Sequence, residues 1–309
     1  MSGPVETCDA KADPAGGPVI AVEPSREARV GDTTVRRALP RRGHRTVGAW
    51  CFADHMGPVA DGGGLGTGIG PHPHIGLQTV TWLVEGEMLH RDSLGAEQLI
   101  RPGQLNLMTA GRGVAHAEEG TAESAGKPKH GIQLWVAQPE ATRHGEPAFE
   151  HHAELPRVAV DSGAATVLVG ELAGVTSPAR ADTDHVGAEL ALRRGNTIVP
   201  LRPEHEHALV VLEGAVDLGD DTVVEPGFLA YLGTGRDELP MAMTDAARVM
   251  LLGGTPFESE ISMWWNFVAR DHDEITEARA AWQAGDEDRF GDVTSLLGRI
   301  DAPGLPWAT

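Results

Sequence analysis

Cysteine is almost absent from the chain, with only Cys8 and Cys51 among 309 residues. Two thiols cannot build the disulfide framework of a small secreted domain, so the sequence predicts a reducing compartment. Residues 1–17 contain no apolar core of signal-peptide length. No stretch approaches the roughly 18 apolar residues that suggest a membrane span. We therefore expect a cytoplasmic protein without a membrane partner.

Basic residues are also scarce. Lys and Arg total 25 against 45 Asp and Glu, which gives a formal net charge of −20. Such a chain is repelled by phosphate backbones and by anionic lipid, so we expect no direct contact with nucleic acid. A small-molecule substrate, and possible binding to another protein, are compatible with this charge. We expect a monomer.

Helical periodicity is rare, and most of the chain alternates β-type runs with turns rich in glycine and proline. This pattern predicts an all-β fold of the sandwich or barrel type. The runs are 48–53, 77–86, 104–111, 131–138, 164–172, 208–218, 223–233 and 247–254. Only DEITEARAAWQAG (273–285) has an acidic start, helical spacing of apolar residues and a final glycine, which predicts one helix near the C-terminus.

The two halves of the chain resemble each other. LVEG at 83–86 returns 128 residues later as VLEG, and RPGQLNLMTAGRG at 101–113 returns 124 residues later as EPGFLAYLGTGRD. A nearly constant offset predicts a duplicated β domain. We place the N-terminal, metal-binding barrel at 1–145, with a flexible tail at 1–17, and the second barrel with its helical tail at 146–309. Residues 139–156, with three prolines, read as a linker.

Two short motifs in the first half have the spacing of metal ligands. PHPH contains His72 and His74, and VAHAEE contains His116 and Glu118. Residues two apart on a strand point to one face, so two such pairs from neighbouring strands can converge inside a small barrel. Three imidazoles and one carboxylate suit Fe(II), Mn(II), Ni(II), Cu(II) or Zn(II) better than Ca²⁺ or Mg²⁺. Four protein ligands on a six-coordinate ion leave room for substrate or O₂.

The segments PHPHIGLQTVTWLVEGEMLHRDSLG, RPGQLNLMTAGRGVAHAEE and HGIQLWV together resemble the hallmark block of pirins, two-domain members of the cupin superfamily. The resemblance implies two cupin barrels, of the double-stranded β-helix or jelly-roll type, packed face to face. It also implies one metal, usually iron, in the N-terminal barrel, with His72, His74, His116 and Glu118 as ligands. Gln78 departs from the pattern, because many pirins carry glutamate there.

The second barrel contains another HxH pair, His205 and His207, which lies out of register with the first. The two offsets convert the four ligand positions into residues that supply no such set: Pro200, Arg202, Pro240 and Ala242. We therefore expect the second barrel to lack metal ligands and to pack against the first.

The remaining chemistry-bearing residues of the first half have plainer interpretations. His90 reads as a turn or surface residue, and His55 as part of a loop that approaches the metal. His151 and His152 read as solvated linker residues, and Trp82 as a core residue that could wall the cavity. The glycine-rich segment 57–70 is either a lid or a plain connector.

The family resemblance suggests an enzyme, a metal-dependent dioxygenase of the quercetin 2,3-dioxygenase type acting on a flavonol or similar enol with O₂. Glu118 would then serve as ligand and as general base. The alternative is an iron-binding, redox-sensitive regulatory protein that binds a metabolic enzyme or transcription factor. A third possibility is a vestigial cupin with an unrelated role. Fe(II) is the expected metal, and Ni, Mn, Cu or Zn would accept the same donors.

Overall fold

The computed structural model describes residues 20–31, 33–60 and 62–307; the predicted tail at 1–17 lies outside the described residues. The described chain is built from strands, with two helices near its C-terminal end. The elements are β1 (Ala21–Pro24), β2 (Arg26–Val30), β3 (Thr33–Leu39), β4 (Trp50–Val59), β5 (Gly68–His74), β6 (Leu77–Glu85), β7 (Met88–Asp92), β8 (Glu97–Ile100), β9 (Leu105–Thr109), β10 (Val114–Glu119), β11 (Lys129–Ala137), β12 (Ala148–His152), β13 (Arg157–Val160), β14 (Gly163–Val169), β15 (Glu171–Leu172), β16 (Val175–Thr176), β17 (His185–Leu192), β18 (Gly195–Pro200), β19 (Glu206–Glu213), β20 (Val216–Asp217), β21 (Val223–Val224), β22 (Phe228–Gly233), β23 (Glu238–Met243), β24 (Ala247–Gly254), β25 (Ser262–Trp264), β26 (Phe267–Ala269), α1 (His272–Ala284) and α2 (Glu287–Phe290).

Internal contacts divide the chain into two units, and neither unit is continuous in sequence. The first-barrel unit contains Arg29–Val35, Met56–Ala153 and the chain from Glu258 onward. The second-barrel unit contains the described residues up to Ala28, Arg36–His55 and Glu154–Phe257. This grouping differs from the simple division at 145/146. β1, near the N-terminus, pairs with β22 in the second-barrel unit, and the C-terminal segment joins the first-barrel unit.

The main strands form two pairs of sheets, and each pair combines one seven-stranded with one four-stranded sheet. In the second-barrel unit the seven strands follow the order β1-β22-β19-β24-β17-β14-β13, and the four follow β18-β23-β20-β21. The other pair of sheets has the orders β12-β9-β6-β11-β4-β3-β2 and β5-β10-β7-β8. The two sets of orders match strand for strand. LVEG ends in the turn after β6, and VLEG ends in the turn after its counterpart β19.

The core of the second-barrel unit is aliphatic and comes from alternating inward residues of both its sheets. Leu190, Val211, Leu232, Val249 and Leu251 are among its fully or almost fully buried members. Burial of these aliphatic side chains away from water supplies the hydrophobic free energy that holds two facing sheets together. The barrel is therefore filled by side chains along these strands.

The C-terminal segment packs behind strand β10. On that strand Ala115 and Ala117 point outward and join a buried cluster with Phe267, Trp282 and Phe290. Alanine leaves room for the large aromatic rings to approach the strand closely. The segment that carries α1 therefore supports the outer face of the strand whose inner face carries His116 and Glu118.

Two local predictions can be compared with the structure. The predicted helix at 273–285 is present as α1: Asp271 accepts a hydrogen bond from the Glu274 N–H, and Gly285 ends the helix in the left-handed conformation. The linker prediction for 139–156 is wrong in part. Residues 148–152 form β12, which pairs antiparallel with β9.

Candidate metal centre

Strands β5 and β10 carry the predicted ligands next to each other. They pair antiparallel, with His116 opposite His72 and Val114 opposite His74. The register shifts between His116 and Glu118, where β10 continues along β5. All four predicted ligands are buried. The strand pairing thus brings together the two motifs, which are 42 residues apart in the chain.

Three of the four side chains form a compact triad. One ring nitrogen from each of His72, His74 and His116 lies within 4.8 Å of the others. The closest pair is Nε2 of His74 and Nε2 of His116, 3.1 Å apart. Two nitrogens bound at about 2.1 Å to one metal at right angles would be about 3.0 Å apart. The triad therefore has the separation that two neighbouring metal ligands require.

Two of the outer nitrogens of the triad are held by backbone carbonyls. Nδ1 of His72 lies 2.9 Å from the Gly70 carbonyl, and Nδ1 of His74 lies 3.0 Å from the Asn266 carbonyl. Because a carbonyl only accepts, each Nδ1 donates a hydrogen, and each Nε2 of the neutral ring carries a lone pair. Trp135 meets the His74 ring edge-on, at 5.2 Å between centroids. These contacts fix both the ring orientation and the tautomer.

The imidazoles are kept neutral by their surroundings. Burial lowers the pKa of His72 to about 4. Burial, and the neighbouring imidazoles, hold the pKa of His74 and of His116 well below the usual value near 6.5. Neutral imidazole is the form that binds a metal, so the three donors are ready to coordinate at neutral pH.

Glu118 is buried two residues beyond His116 on β10, lies outside the cluster of three histidines, and has an unused oxygen. Its Oε1 atom has no hydrogen-bond partner among the described residues. Burial raises the pKa of its carboxyl group above the ordinary value of 4.5. A buried carboxylate normally needs a charge or a donor to offset its desolvation. A divalent cation on the triad would supply that charge, so the donor set fits such an ion.

Residues 32–136 match the family model Pirin, and residues 187–291 match the model for the pirin C-terminal cupin domain. The chain belongs to the pirin family. Its two barrels are accordingly cupin domains, and the all-β expectation is confirmed.

The relatives of this pirin include proteins that carry the name quercetin 2,3-dioxygenase. A Pseudomonas aeruginosa protein with the provisional name quercetin 2,3-dioxygenase is 48% identical over 279 residues, covering 90% of this chain and 87% of that protein. A pirin-like protein of Caulobacter vibrioides is 37% identical, covering 84% and 92%. A crystal structure of quercetin 2,3-dioxygenase from Acinetobacter baumannii superposes with a TM-score of 0.86 at 43% identity, covering 94% of this chain and 97% of that one.

His90 is the functional candidate that the sequence analysis missed. The prediction of a surface turn residue is wrong, because His90 lies in β7 and is only 3% exposed. Its Nδ1 is 3.4 Å from Nδ1 of His116, and its Nε2 is 3.0 Å from Oδ2 of Asp92. Phe149 of β12 stacks on the ring at 4.3 Å. The sequence did contain a signal, since His90 and Asp92 have the same two-residue spacing as the ligand pairs.

Four further residues singled out in the sequence of this pirin are not members of the triad. His55 lies in strand β4 and is buried, so the predicted loop position is wrong. His151, also on a strand and half-buried, faces the Asn106 side-chain oxygen at 2.7 Å, so the solvated interpretation is wrong for it. Gln78 is fully buried and donates to the Thr109 hydroxyl at 3.0 Å. Trp82 is 2% exposed, as expected of a core residue.

The second cupin domain has no matching donor set at the equivalent strand positions. β18 and β23 pair as β5 and β10 do, with Ile198 opposite Pro240 and Pro200 opposite Glu238. Ile198 and Pro240 are exposed, whereas the side chains that these two strands turn into the barrel core are apolar and include Val199, Leu239 and Met241. His205 and His207 lie at the start of β19 instead.

In the described part of the chain, no helix combines the length and the apolarity that a membrane crossing requires.

Proposed function

We propose that this pirin is a metal-dependent dioxygenase of the quercetin 2,3-dioxygenase type, which acts on a flavonol or a similar enol with O₂. His72, His74, His116 and Glu118 would hold one divalent ion, with Fe(II) as the expected metal. The observation that carries the proposal is the meeting of neutral imidazoles, two of whose Nε2 atoms lie 3.1 Å apart. One of these rings, His116, shares strand β10 with the buried carboxylate of Glu118, whose Oε1 atom has no partner among the described residues. The 43% identical structure of quercetin 2,3-dioxygenase supports the same chemistry.

The metal, when bound, would orient the substrate hydroxyl and O₂ and polarise the bonds that react. Glu118 is the residue suited to take the hydroxyl proton. Its raised pKa brings the carboxylate closer to the basicity of an acidic enol, and its burial keeps water from competing for the proton. Histidine rings fixed by Gly70 and Asn266 would keep the ligand geometry constant through the reaction.

The test measures metal content and flavonol consumption in the same preparations. Chelator-treated protein is reloaded separately with Fe(II), Mn(II), Ni(II), Cu(II) or Zn(II), and quercetin absorbance and O₂ uptake are followed. We expect turnover with at least one metal, and loss of metal and turnover in His116→Ala. Glu118→Gln should lower turnover by about 10²–10⁴-fold, the range for removal of a general base. His144→Ala, at an exposed histidine, is the control.

Unchanged turnover in His116→Ala would contradict the proposal. So would a fully metal-loaded protein that consumes neither quercetin nor O₂ with any of the five metals. The proposal also includes a monomer in the cytoplasm, in line with the shortage of cysteine in the chain.

A further inference from the structure

Two buried side chains, His90 and Asp92, follow one another from the outer nitrogen of the proposed ligand His116. The Asp92 side chain is completely buried, and its Oδ2 lies 3.0 Å from Nε2 of His90. Nδ1 of His90 lies 3.4 Å from Nδ1 of His116. All three residues lie on the paired strands β7 and β10, with Asp92 directly opposite His116. The three side chains form a continuous row that ends at the triad.

The direction of the hydrogen bonds in this row follows from its first member. A carboxylate can only accept, so Nε2 of His90 donates to Asp92. When His90 carries this single ring hydrogen, its Nδ1 is an acceptor. His116 must then donate from Nδ1, and its Nε2 carries a lone pair. That atom is the one 3.1 Å from Nε2 of His74.

The carboxylate at the start of the row cannot easily turn. Its other oxygen, Oδ1, accepts from the backbone N–H groups of Leu94 and Ala96, both at 2.9 Å. Phe149 stacks on His90 with an interplanar angle of 13° and so holds the plane of the imidazole. The row is therefore fixed at the carboxylate and at the middle ring.

We propose that Asp92 and His90 are positioning residues, which keep the hydrogen of His116 on Nδ1 and thereby set the affinity of the centre for its metal. This inference rests on the proposed metal centre and adds two residues that do not touch the ion. Carboxylates that orient a metal-binding histidine in this way commonly contribute 10–100-fold to metal affinity. Here the effect passes through a second histidine.

The sharpest variant is Asp92→Asn, which keeps the shape of the side chain and reverses one hydrogen bond. The N–H groups of Leu94 and Ala96 require an oxygen, so the new amide nitrogen must face His90. The amide then donates to Nε2 of His90, His90 donates from Nδ1, and His116 is left with its hydrogen on Nε2. The nitrogen that should bind the metal is blocked. His90→Phe is the second variant, because it keeps the stack on Phe149 and removes the acceptor.

The probe is Co(II) alone, added to chelator-treated full-length protein and followed by its visible absorption spectrum and by a competing chelator. We expect both variants to bind Co(II) about 10–100-fold more weakly than the wild type, with an altered spectrum. The thermal midpoint of the metal-free protein serves as the measure of folding. Asp217→Asn is the matched control, because Asp217 also accepts a backbone N–H, from Gly219 at 2.8 Å, and lies in the second-barrel unit.

Co(II) affinity within twofold of the wild type in either folded variant would overturn the positioning role and leave the metal centre intact. A lower affinity that Asp217→Asn reproduces would also overturn it. Wild-type protein that takes up no Co(II), Fe(II) or Ni(II) would overturn the metal centre itself, and the positioning role with it.

Discussion

Replacement of Glu118 by glutamine is expected to stabilise the metal-free protein while it weakens metal binding. In the metal-free protein this carboxylate is buried and has one oxygen without a partner among the described residues. Glutamine has nearly the same shape and no charge to desolvate. The same change removes an anionic oxygen that a divalent ion would bind. The two effects of one substitution should therefore have opposite signs.

The size of the stability gain without metal follows from the burial of the Glu118 carboxylate. A buried polar group without a partner costs about 1–3 kcal/mol, and a charged one more. For a domain of this size each kcal/mol changes the thermal midpoint by roughly 2–4 °C. The midpoint of metal-free Glu118→Gln should therefore rise by several degrees.

The stability difference between metal-free Glu118→Gln and the wild type should depend on pH with a definite sign. Burial raises the pKa of Glu118 in the folded protein. The stability associated with its protonated form is complete below the unfolded pKa of 4.5 and is lost as the pH rises through the folded pKa. The advantage of the glutamine variant should therefore be larger at about pH 8 than at about pH 5.

The assay is thermal unfolding followed by circular dichroism, on chelator-treated protein with and without added Ni(II). Wild type should gain more from the metal than Glu118→Gln, because stabilisation grows with the ratio of free metal to dissociation constant. Glu238→Gln, at an exposed glutamate on the counterpart strand β23, is the matched control. A lower midpoint for metal-free Glu118→Gln, together with an unchanged response to Ni(II), would refute this reasoning.

Three other predictions concern stability. Burial lowers the pKa of His185 to about 4, so at low pH the unfolded chain binds a proton that the folded chain does not. Between about pH 7 and pH 4 the wild type should lose about 3 kcal/mol of unfolding free energy that His185→Gln keeps. Urea unfolding measures both proteins, and a difference between them that is the same at both pH values would contradict this. Phe267→Ala, at a fully buried ring, should cost about 3–5 kcal/mol in urea unfolding, and a loss below about 1 kcal/mol would show that the site collapses around the gap. Gly70→Ala would place a methyl carbon 2.1 Å from the Gly298 carbonyl oxygen, so the C-terminal segment should be cleaved faster in limited proteolysis; Gly304→Ala, where a methyl group meets nothing within 4 Å, should match wild type.

Much of the fold and most of the site could be predicted because the signals are local. β6, β9, β11 and β24 lie where alternating or apolar runs between turns predicted them. Strand alternation puts His72 and His74 on one face, and the pairing of β5 with β10 brings His116 to them. The same rule, applied to HRD in β7, would have predicted that His90 and Asp92 share a face.

The exchange of segments between the units could not be predicted in this way. Nothing in AVEP, the sequence of β1, specifies which exposed strand it will pair with, and its pairing with β22 depends on the edge that the folded sheet leaves open. The contact of α1 with the outer face of β10 is similar. The helix is visible in the sequence, but its partner is fixed only by the fit between large rings and the small side chains of Ala115 and Ala117.

The position of the C-terminal segment has a consequence for the newborn protein. The carbonyl that orients His74 belongs to Asn266, and the aromatic wall behind β10 comes later still. A ribosome therefore makes all four proposed ligands long before it makes the residues that hold them still. During that interval the histidines are present without their supports, so firm binding of an ion at the proposed centre would require Asn266 and the rings behind β10 to have been made.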